Sequence, residues 1–441
     1  MDAQTLSLGK FRFNVGSCVS TFAMALATVF ALTLLTSHDM QAQTFSVLHN
    51  FTGGADGNFP FAGVTVGASG EGLYGTAAYG GAYGAGTVFK LAQEGSSWVF
   101  SPLYEFTGGN DGDDPEGGVV VGPNGALYGT TAFGGVVNNG VVFELRPPAT
   151  FCSSVLCYWG ETVLQSFPGG PNGQYPLYEN LAFDSSGNIY GTTYRGGTYD
   201  YGTTFELTPS GGGYTESILH NFGNQYNFGS GTDGRFPSAG VVLDTAGNVY
   251  GTTPDGGTGT ECAVGCGTLY QLTPSNGGWL EHVLVNFNQA DGSYPYGNLI
   301  MDASGNLYGI AAEGGQNGDG VVYKLAPSNG GWTYSALYSF SSCDSVSGVA
   351  MDAAGDLFGV CTSGGAHQDG WIFELTNCSQ TCVLVDLHDF GGSDGREPYG
   401  GPVLDANGNL YGTTEYGGTS ANCGDTGCGV VWEIAGVGAR H

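Results

Sequence analysis

The side chains best suited to ligand chemistry are acids and aromatic rings that recur beside a loop proline. The phrase Asp/Asn-Gly-x-x-Pro occurs six times, and five copies begin with Asp56, Asp111, Asp233, Asp291 and Asp394. Four copies place an aromatic residue before the proline, and these are Phe59, Tyr175, Phe236 and Tyr294. Sugars offer C–H faces that stack on aromatic rings and hydroxyl groups that bond to carboxylates. The phrase therefore predicts a rim that binds a polysaccharide weakly.

A second group of side chains precedes a Gly-Gly pair and varies from copy to copy. Its members are Tyr79, Phe133, Arg195, Asp255, Glu313 and Tyr416. Variable loops on a rigid scaffold commonly carry binding residues, so we expect the aromatic members Tyr79, Phe133 and Tyr416 to join the rim. The alternative is that these positions vary because nothing constrains them.

Neighbouring carboxylates of the rim could share a Ca²⁺ ion, because hard cations prefer several oxygen ligands. The alternative is that each Asp accepts backbone hydrogen bonds within its own turn. We expect no metal and no cofactor, and Ca²⁺ is the alternative that stays open.

Patterns that would indicate catalysis are scarce. No H-E-x-x-H, G-x-S-x-G or phosphate-binding-loop motif occurs. His49, His220 and His388 occupy one recurring slot that Tyr104 and Tyr338 also fill, which predicts a packing role.

A glycosidase would need two carboxyl groups about 5–10 Å apart. We expect a non-catalytic binding protein, with a carbohydrate-active enzyme or a purely structural module as alternatives. An asymmetric cluster of an acid and an aromatic residue in one loop of the d–a and b–c face would favour the enzyme, and an even ring would favour binding or a scaffold.

These candidates are positioned by a repeated phrase, Tyr-Gly-Thr-Thr-x-x-Gly-Gly. Its aromatic anchor recurs every 50 to 62 residues, at Tyr74, Tyr128, Tyr190, Tyr250, Tyr308, Phe358 and Tyr411. Each copy holds four strand-like runs, a to d, separated by turn residues. A d-type run at 44–51 precedes the first a run, and the last copy lacks a d run. Pairing the two ends closes a ring without exposed edges. The sequence predicts an all-β, seven-bladed β-propeller of four-stranded antiparallel blades over residues 44–436.

Antiparallel blades sort the loops between two faces. The a–b and c–d turns share one face, and the d–a and b–c loops share the other, so both groups of candidates surround one mouth of the central channel. Asp residues also begin the a–b turns, where we expect them to cap the turn. These residues are Asp184, Asp244, Asp302, Asp352 and Asp405.

The charge balance and the N-terminal segment bear on partners and location. The chain has 441 residues and a net charge of −30, which argues against nucleic acid and anionic membranes as partners. Lys10 and Arg12 precede an apolar run at 19–37, and Ala42 is a plausible cleavage point, which predicts a secretory signal over 1–42. An uncleaved membrane anchor is the alternative. We expect a secreted, periplasmic or cell-surface protein, a tail at 437–441, and a polysaccharide or cell-surface protein as partner.

The cysteines support export. Apart from Cys18, they form five close pairs behind the signal, which predicts local disulfides, with zinc sites as the alternative. The pairs are Cys152/Cys157, Cys262/Cys266, Cys343/Cys361, Cys378/Cys382 and Cys423/Cys428. The sixth repeat lacks the proline phrase, and we expect the Cys343–Cys361 bridge to replace it.

The tandem Tyr-Gly-Thr-Thr-x-x-Gly-Gly phrase resembles the GloVer-type repeat of bacterial "choice-of-anchor" proteins over residues 44–436. The resemblance implies an exported, propeller-like repeat protein. That family has no established activity, so it implies no catalytic residues. Many members end in a C-terminal sorting anchor, from which this sequence departs. The order Gly-Gly, strand c, Trp is also similar to kelch repeats, a weaker likeness that supports the architecture alone.

Overall fold

The computed structural model describes residues 43–148, 158–178, 180–223, 233–343 and 345–438. The predicted signal segment, 1–42, lies outside the described residues. Helical structure within these ranges is limited to three short 3-10 turns, Ala68–Gly70, Gly170–Asn172 and Gly424–Thr426. None of the helices in this part of the chain is long and apolar enough to cross a membrane.

The strands of the described residues form seven four-stranded antiparallel sheets and one two-stranded ribbon. The a strands, which line the channel, are Thr65–Val66, Val120–Val121, Ala182–Phe183, Val242–Leu243, Ile300–Met301, Val346–Met351 and Val403–Leu404. The b strands are Leu73–Ala77, Leu127–Thr131, Ile189–Thr193, Val249–Thr253, Leu307–Ala311, Leu357–Cys361 and Leu410–Thr414.

The outer half of each blade is longer. The c strands are Thr87–Glu94, Val141–Arg146, Thr203–Ser210, Thr268–Ser275, Val321–Ser328, Trp371–Thr376 and Val430–Ala435. The d strands are Ser97–Glu105, Gly160–Ser166, Gly213–Asn221, Gly278–Asn286, Gly331–Ser339, Val383–Asp389 and, for blade 7, Thr44–Asn50. The ribbon pairs Gly234–Arg235 with Asp255–Gly256. The predicted seven-bladed propeller is therefore confirmed.

The ring closes through the N-terminal strand. Thr44–Asn50 pairs antiparallel with Val430–Ala435, from Thr44 opposite Ala435 to Asn50 opposite Val430. Blade 7 also contacts blade 1 directly, because the Thr413 hydroxyl donates to the Ala62 carbonyl at 2.8 Å. Seven hydrophobic clusters fill the seven junctions between neighbouring blades. Burial between blades is thus the main source of stability, and every blade depends on two neighbours.

The repeated phrase has a structural explanation. Its aromatic anchors are at most 8% exposed, and four Tyr hydroxyls donate to the Asp of the a–b turn. The following Gly lies under an aromatic ring of strand c; a Cβ on Gly75 would lie 2.5 Å from the Phe89 ring. The first Thr donates to the next blade, as Thr192 does to the Ala239 carbonyl at 3.0 Å. The phrase therefore encodes blade assembly.

The proline phrase joins neighbouring blades. The residue before the proline adopts a left-handed conformation, with φ between 55° and 62° in all six copies. Phe59, for example, donates its N–H to Cys428 of blade 7 and accepts from the Ala78 N–H of blade 1. The same two-sided bridge is made by Asp114, Tyr175, Tyr294 and Glu397. The phrase is thus an inter-blade clamp.

Four of the five predicted disulfides lie within the described residues, and all four are present. They join Cys262 to Cys266, Cys343 to Cys361, Cys378 to Cys382 and Cys423 to Cys428. The Cys343–Cys361 bridge connects the d–a loop of blade 6 to the end of its strand b, as predicted for the blade without the proline phrase. Cys152 and Cys157 lie outside the described residues. Four disulfides are consistent with an oxidising, extracellular location.

Candidate functional site

A cavity of about 720 Å³ opens at the mouth of the central channel and is lined by residues of all seven blades. We call it the mouth cavity. Its wall consists of the a strands and of the residues that follow the loop prolines. Those post-proline residues are Phe61, Glu116, Leu177, Ser238, Tyr296 and Tyr399. Its size falls within the range of small-molecule pockets, about 300–1,000 Å³.

Aromatic rings dominate one part of the mouth cavity. The ring centroids of Phe61, Tyr178 and Tyr399 lie 6.0 to 6.4 Å from one another. Tyr178 and Tyr399 are 40% and 45% exposed, and Tyr296 on blade 5 is 49% exposed. Large aromatic side chains usually lose most of their exposure on folding. Exposed rings converging on a cavity indicate a surface built for a ligand.

Four acidic residues gather near the rings, on the side of blades 1, 2 and 7. Asp114, Glu116 and Glu415 are 5%, 9% and 6% exposed, and Glu397 lies nearby on the clamp of blade 7. Asp114 Oδ1 and Glu116 Oε2 are buried and have no hydrogen-bond partner within the described residues. Glu116 lines the mouth cavity. A buried, unpartnered carboxyl oxygen beside a cavity is available to a ligand.

Burial changes the protonation of these acids. It raises the pKa of Glu116 to about 8, and the charges of Asp114 and Glu415 act in the same direction. Burial likewise raises the pKa of Asp114 to about 6, although a hydrogen bond from Tyr79 opposes the shift. The pKa of Glu415 is also raised, mainly by burial. At neutral pH Glu116 is therefore largely protonated and can donate a hydrogen bond or a proton.

The raised pKa of Glu116 predicts that replacing Glu116 by Gln changes the stability of the protein in a pH-dependent way. The folded protein holds a proton on Glu116 up to a pKa of about 8, whereas the usual value is 4.5. Stability from this carboxyl is thus fully present below pH 4.5 and is lost as the pH rises towards 8. The neutral amide avoids that loss. We expect E116Q to gain about 1 kcal/mol or more over the wild type between about pH 5 and pH 9. Urea denaturation measures this difference, and a difference that does not change with pH contradicts the assignment.

The five rim acids of the proline phrase lie in their own loops, where they accept hydrogen bonds. Asp56 accepts from the Thr52 N–H at 2.9 Å and from His49 at 3.1 Å. Asp111 accepts from the Thr107 N–H at 2.8 Å and from Tyr104 at 3.0 Å. Equivalent contacts are made by Asp233 with His220, Asp291 with Asn288 and Asp394 with His388. Backbone N–H groups bond to Asp56, Asp111 and Asp394, as the turn-capping alternative expects. The contacts of Asp233 and Asp291 are with side chains. A ligand role for the five acids stays a prediction.

The recurring His slot has a second role that the sequence interpretation missed. His49, His220 and His388 pack against neighbouring rings, but each also bonds through Nε2 to the Asp of the next loop. The interpretation as packing alone is therefore incomplete. A signal was visible in the sequence, because His49 and Tyr104 each precede their Asp partner by seven residues.

The aromatic rim residues contact one another across blade boundaries. Phe59 meets Tyr416 at 5.2 Å and Tyr79 at 6.0 Å, and Phe133 meets Tyr175 at 5.3 Å. Phe236 stacks on Tyr194 at 5.1 Å. Tyr294 stacks on Tyr296, a residue of the mouth cavity, at 6.4 Å. Two predicted rim residues, Phe236 and Tyr294, thus contact rings that line the mouth cavity, whereas the cavity wall itself uses residues after the prolines.

The variable residues before Gly-Gly share one backbone arrangement. Tyr79 pairs with Asn58, Phe133 with Asp113, Arg195 with Gln174, Asp255 with Arg235, Glu313 with Ser293 and Tyr416 with Arg396. These pairings tie each b–c loop to the d–a loop of its own blade. The backbone is therefore constrained at these positions while the side chain is free to vary.

Comparison with known proteins identifies one family and the fold. The model of the Gloeobacter/Verrucomicrobia repeat family matches residues 24–162, 156–349 and 265–436. No curated protein matches the chain. Among solved structures, virginiamycin B lyase from Staphylococcus aureus is similar at 13% identity and a TM-score of 0.52, covering 90% of this chain and 99% of the lyase. A luciferin-regenerating enzyme is similar at 13% identity and a TM-score of 0.42, covering 90% of this chain and 96% of the enzyme. At this identity the likeness to the lyase establishes the fold alone.

Proposed function

The chain belongs to the Gloeobacter/Verrucomicrobia repeat family, and we propose that it is an exported propeller that binds a saccharide in the mouth cavity. The observation that carries this proposal is a cluster of three rings, the exposed Tyr178 and Tyr399 and the half-buried Phe61, beside the buried carboxyl of Glu116. Rings offer stacking faces to sugar C–H groups, and the protonated carboxyl offers a directed hydrogen bond to a hydroxyl.

Polar groups of the cavity wall supply further hydrogen-bonding partners. Asn180, Ser238, Asn298 and Ser347 line the mouth cavity together with the aromatic rings. Few polar groups on a mainly apolar wall are the usual composition of a specific small-molecule site. The net charge of −30 and the acids beside Glu116 disfavour an anionic ligand. The ligand class is therefore a saccharide without acidic groups.

Removal of the cavity rings tests this binding role. We expect the double variant Tyr178→Ala/Tyr399→Ala to lose retention on a neutral or amine-bearing polysaccharide gel by about tenfold or more, since stacking is lost. Both side chains are more than a third exposed, so the melting temperature should change little. Tyr83→Ala is the matched control, because Tyr83 is 66% exposed and lies outside the mouth cavity.

The rim hypothesis is tested in the same assay. Tyr294→Ala and Tyr416→Ala are expected to weaken retention if a polysaccharide extends from the mouth cavity over the rim. Retention of both variants at the wild-type level restricts the site to the cavity. Failure of the wild type to bind any such polysaccharide, with or without Ca²⁺, contradicts the proposed function and favours the structural alternative.

One observation favours a second candidate, an acid–base carbohydrate-active enzyme. The acids are gathered on one side of the mouth, and burial raises the pKa of Glu116 to about 8 while that of Asp114 reaches about 6. Two carboxyl groups with separated pKa values suit a general acid and an ionised partner. Glu116 would protonate the leaving glycosidic oxygen, and the ionised Asp114 would take a proton from the water that adds to the sugar carbon. The E116Q variant should then still bind the saccharide but no longer release reducing ends from it. If the wild type binds the saccharide without releasing reducing ends, the protein is a binding protein only.

A further inference from the structure

The junction between blades 3 and 4 brings together three side chains with metal-ligand chemistry. His220 lies on strand d of blade 3, Asp233 on the following loop, and Glu281 on strand d of blade 4. His220 Nε2 is 3.3 Å from Asp233 Oδ2 and 3.8 Å from Glu281 Oε2. One ligand atom from each residue lies within 4.8 Å of the other two. The three side chains are only 20%, 13% and 17% exposed.

The register of the repeat allows the same position to be compared at other junctions. His49 with Asp56 faces Phe100, and His388 with Asp394 faces Phe45. In each case an aromatic ring occupies the position that Glu281 has on its own strand d, six residues before the Phe that follows each of these strands. Of the junctions in the described chain, that between blades 3 and 4 is the one where a His and two carboxylates meet.

Two further junctions contain the Glu but not the His. Gln165 and Asn172 donate their amide N–H groups to Glu216 Oε2, each at 2.9 Å, so two neutral donors reach one oxygen of that carboxylate. Oε1 of Glu216 is buried and has no hydrogen-bond partner in the described residues. Tyr104 and Asp111 meet Glu161 at the junction of blades 1 and 2. At the junction of blades 3 and 4, Asp233 occupies the position in the loop that Asn172 has at the junction of blades 2 and 3. Asp233 is a hydrogen-bond acceptor, whereas Asn172 is a donor.

This exchange leaves an excess of acceptors around Glu281. Two carboxylates approach each other in a partly buried setting with a single imidazole between them. Glu281 Oε1 is buried and has no hydrogen-bond partner in the described part of the chain. Buried carboxylates require a proton, donors or a cation to balance their charge. A divalent cation would balance both acids at once.

We propose that His220, Asp233 and Glu281 bind a divalent transition-metal ion of the zinc class. An imidazole nitrogen with two carboxylate oxygens is a ligand set for Zn²⁺, with a fourth position left for water, whereas Ca²⁺ prefers oxygen ligands alone. Bonds of about 2.0–2.2 Å place tetrahedral ligands roughly 3.4 Å apart, which the observed spacing approaches. The ion joins strand d of blade 3, its loop and strand d of blade 4, so it acts as a staple between two blades. The site is separate from the mouth cavity, which is lined by a strands.

Metal titration of the untagged full-length exported chain tests the site. After chelator treatment and dialysis, isothermal titration with Zn²⁺ is expected to give one site per chain and a raised melting temperature. Glu281→Gln and His220→Ala should each weaken Zn²⁺ binding by about tenfold or more. Co²⁺ should give visible absorption bands of a nitrogen–oxygen site in the wild type, and these should be absent in E281Q.

The chain supplies matched controls. His49→Ala and His388→Ala remove a His–Asp pair that lacks the Glu, and Glu161→Gln removes a Glu that lacks the His; all three should retain Zn²⁺ affinity. If His220→Ala does not fold, E281Q decides the test, because Gln keeps the shape of Glu. A wild type that binds no Zn²⁺, or E281Q with unchanged affinity, overturns the proposal. Saccharide retention of the chelator-treated protein should persist, so this result stands apart from the proposed function.

Discussion

Deletion of residues 44–51 is expected to destabilise the whole ring. Strand c of blade 7 then loses its partner along Val430–Ala435 and becomes an exposed edge. Phe51, fully buried between blades 7 and 1, and Phe45, which stacks on His388 of blade 6, are removed with it. Each large apolar side chain contributes about 1.5–3 kcal/mol, so loss of these two alone should cost about 3–6 kcal/mol. The truncated chain should unfold far below the wild type or aggregate.

A shorter truncation isolates the effect of closure. A chain that starts at Gln43, the predicted mature N-terminus, keeps the full strand and is the reference for the melting temperature. Adding a peptide of residues 44–51 to the truncated chain should restore part of the lost stability, since the groove for strand d is intact. Equal melting temperatures for the chains that start at residues 43 and 52 would refute closure by this strand.

Replacement of Gly202 by Ala is expected to have the second large effect. Gly202 immediately precedes strand c of blade 3 and has φ of +94°, and an added Cβ would lie 2.3 Å from the Thr193 carbonyl oxygen and 2.6 Å from Pro237 Cδ. Neither neighbour is a flexible side chain, so blades 3 and 4 would have to separate. Backbone strain and overpacking together should cost about 3 kcal/mol or more. The prolines of the other clamps lie equally close to Gly86, Gly140, Gly267, Gly370 and Gly429.

Gly331→Ala is the matched control for this prediction. Gly331 begins a strand, has no left-handed φ, and has open space within 4 Å of an added Cβ. Its replacement should change the urea midpoint little, by less than about 0.5 kcal/mol. If G202A and G331A unfold at the same urea concentration, the clamp between glycine and proline does not hold the blades together.

The fold was predictable because the repeat records both the number and the phase of its strands. Seven aromatic anchors give the number of blades, and the unpaired d run at 44–51 shows how the ring closes. The disulfides within the described residues were also predictable, because each joins cysteines close in sequence. Local spacing suffices for features of this kind.

The sequence predicted the face of the propeller that carries the candidate site, but not the residues that form the site. The residue before each proline adopts a left-handed φ, and Phe61, Tyr296 and Tyr399, on the other side of the proline, line the mouth cavity. Glu116 was missed because its environment depends on Glu415, which lies on blade 7, some three hundred residues later in the chain. Burial and the approach of distant blades set its pKa, and neither is visible in the repeat phrase.

A glycan array probed with the mature protein tests the central claim most directly. The wild type should bind a set of neutral or amine-bearing saccharides, and Tyr178→Ala/Tyr399→Ala should lose that set while Tyr83→Ala retains it. This result would assign binding to the mouth cavity. Binding by the double variant equal to that of the wild type, or preference of the wild type for acidic saccharides, would contradict a saccharide site built from these rings and Glu116.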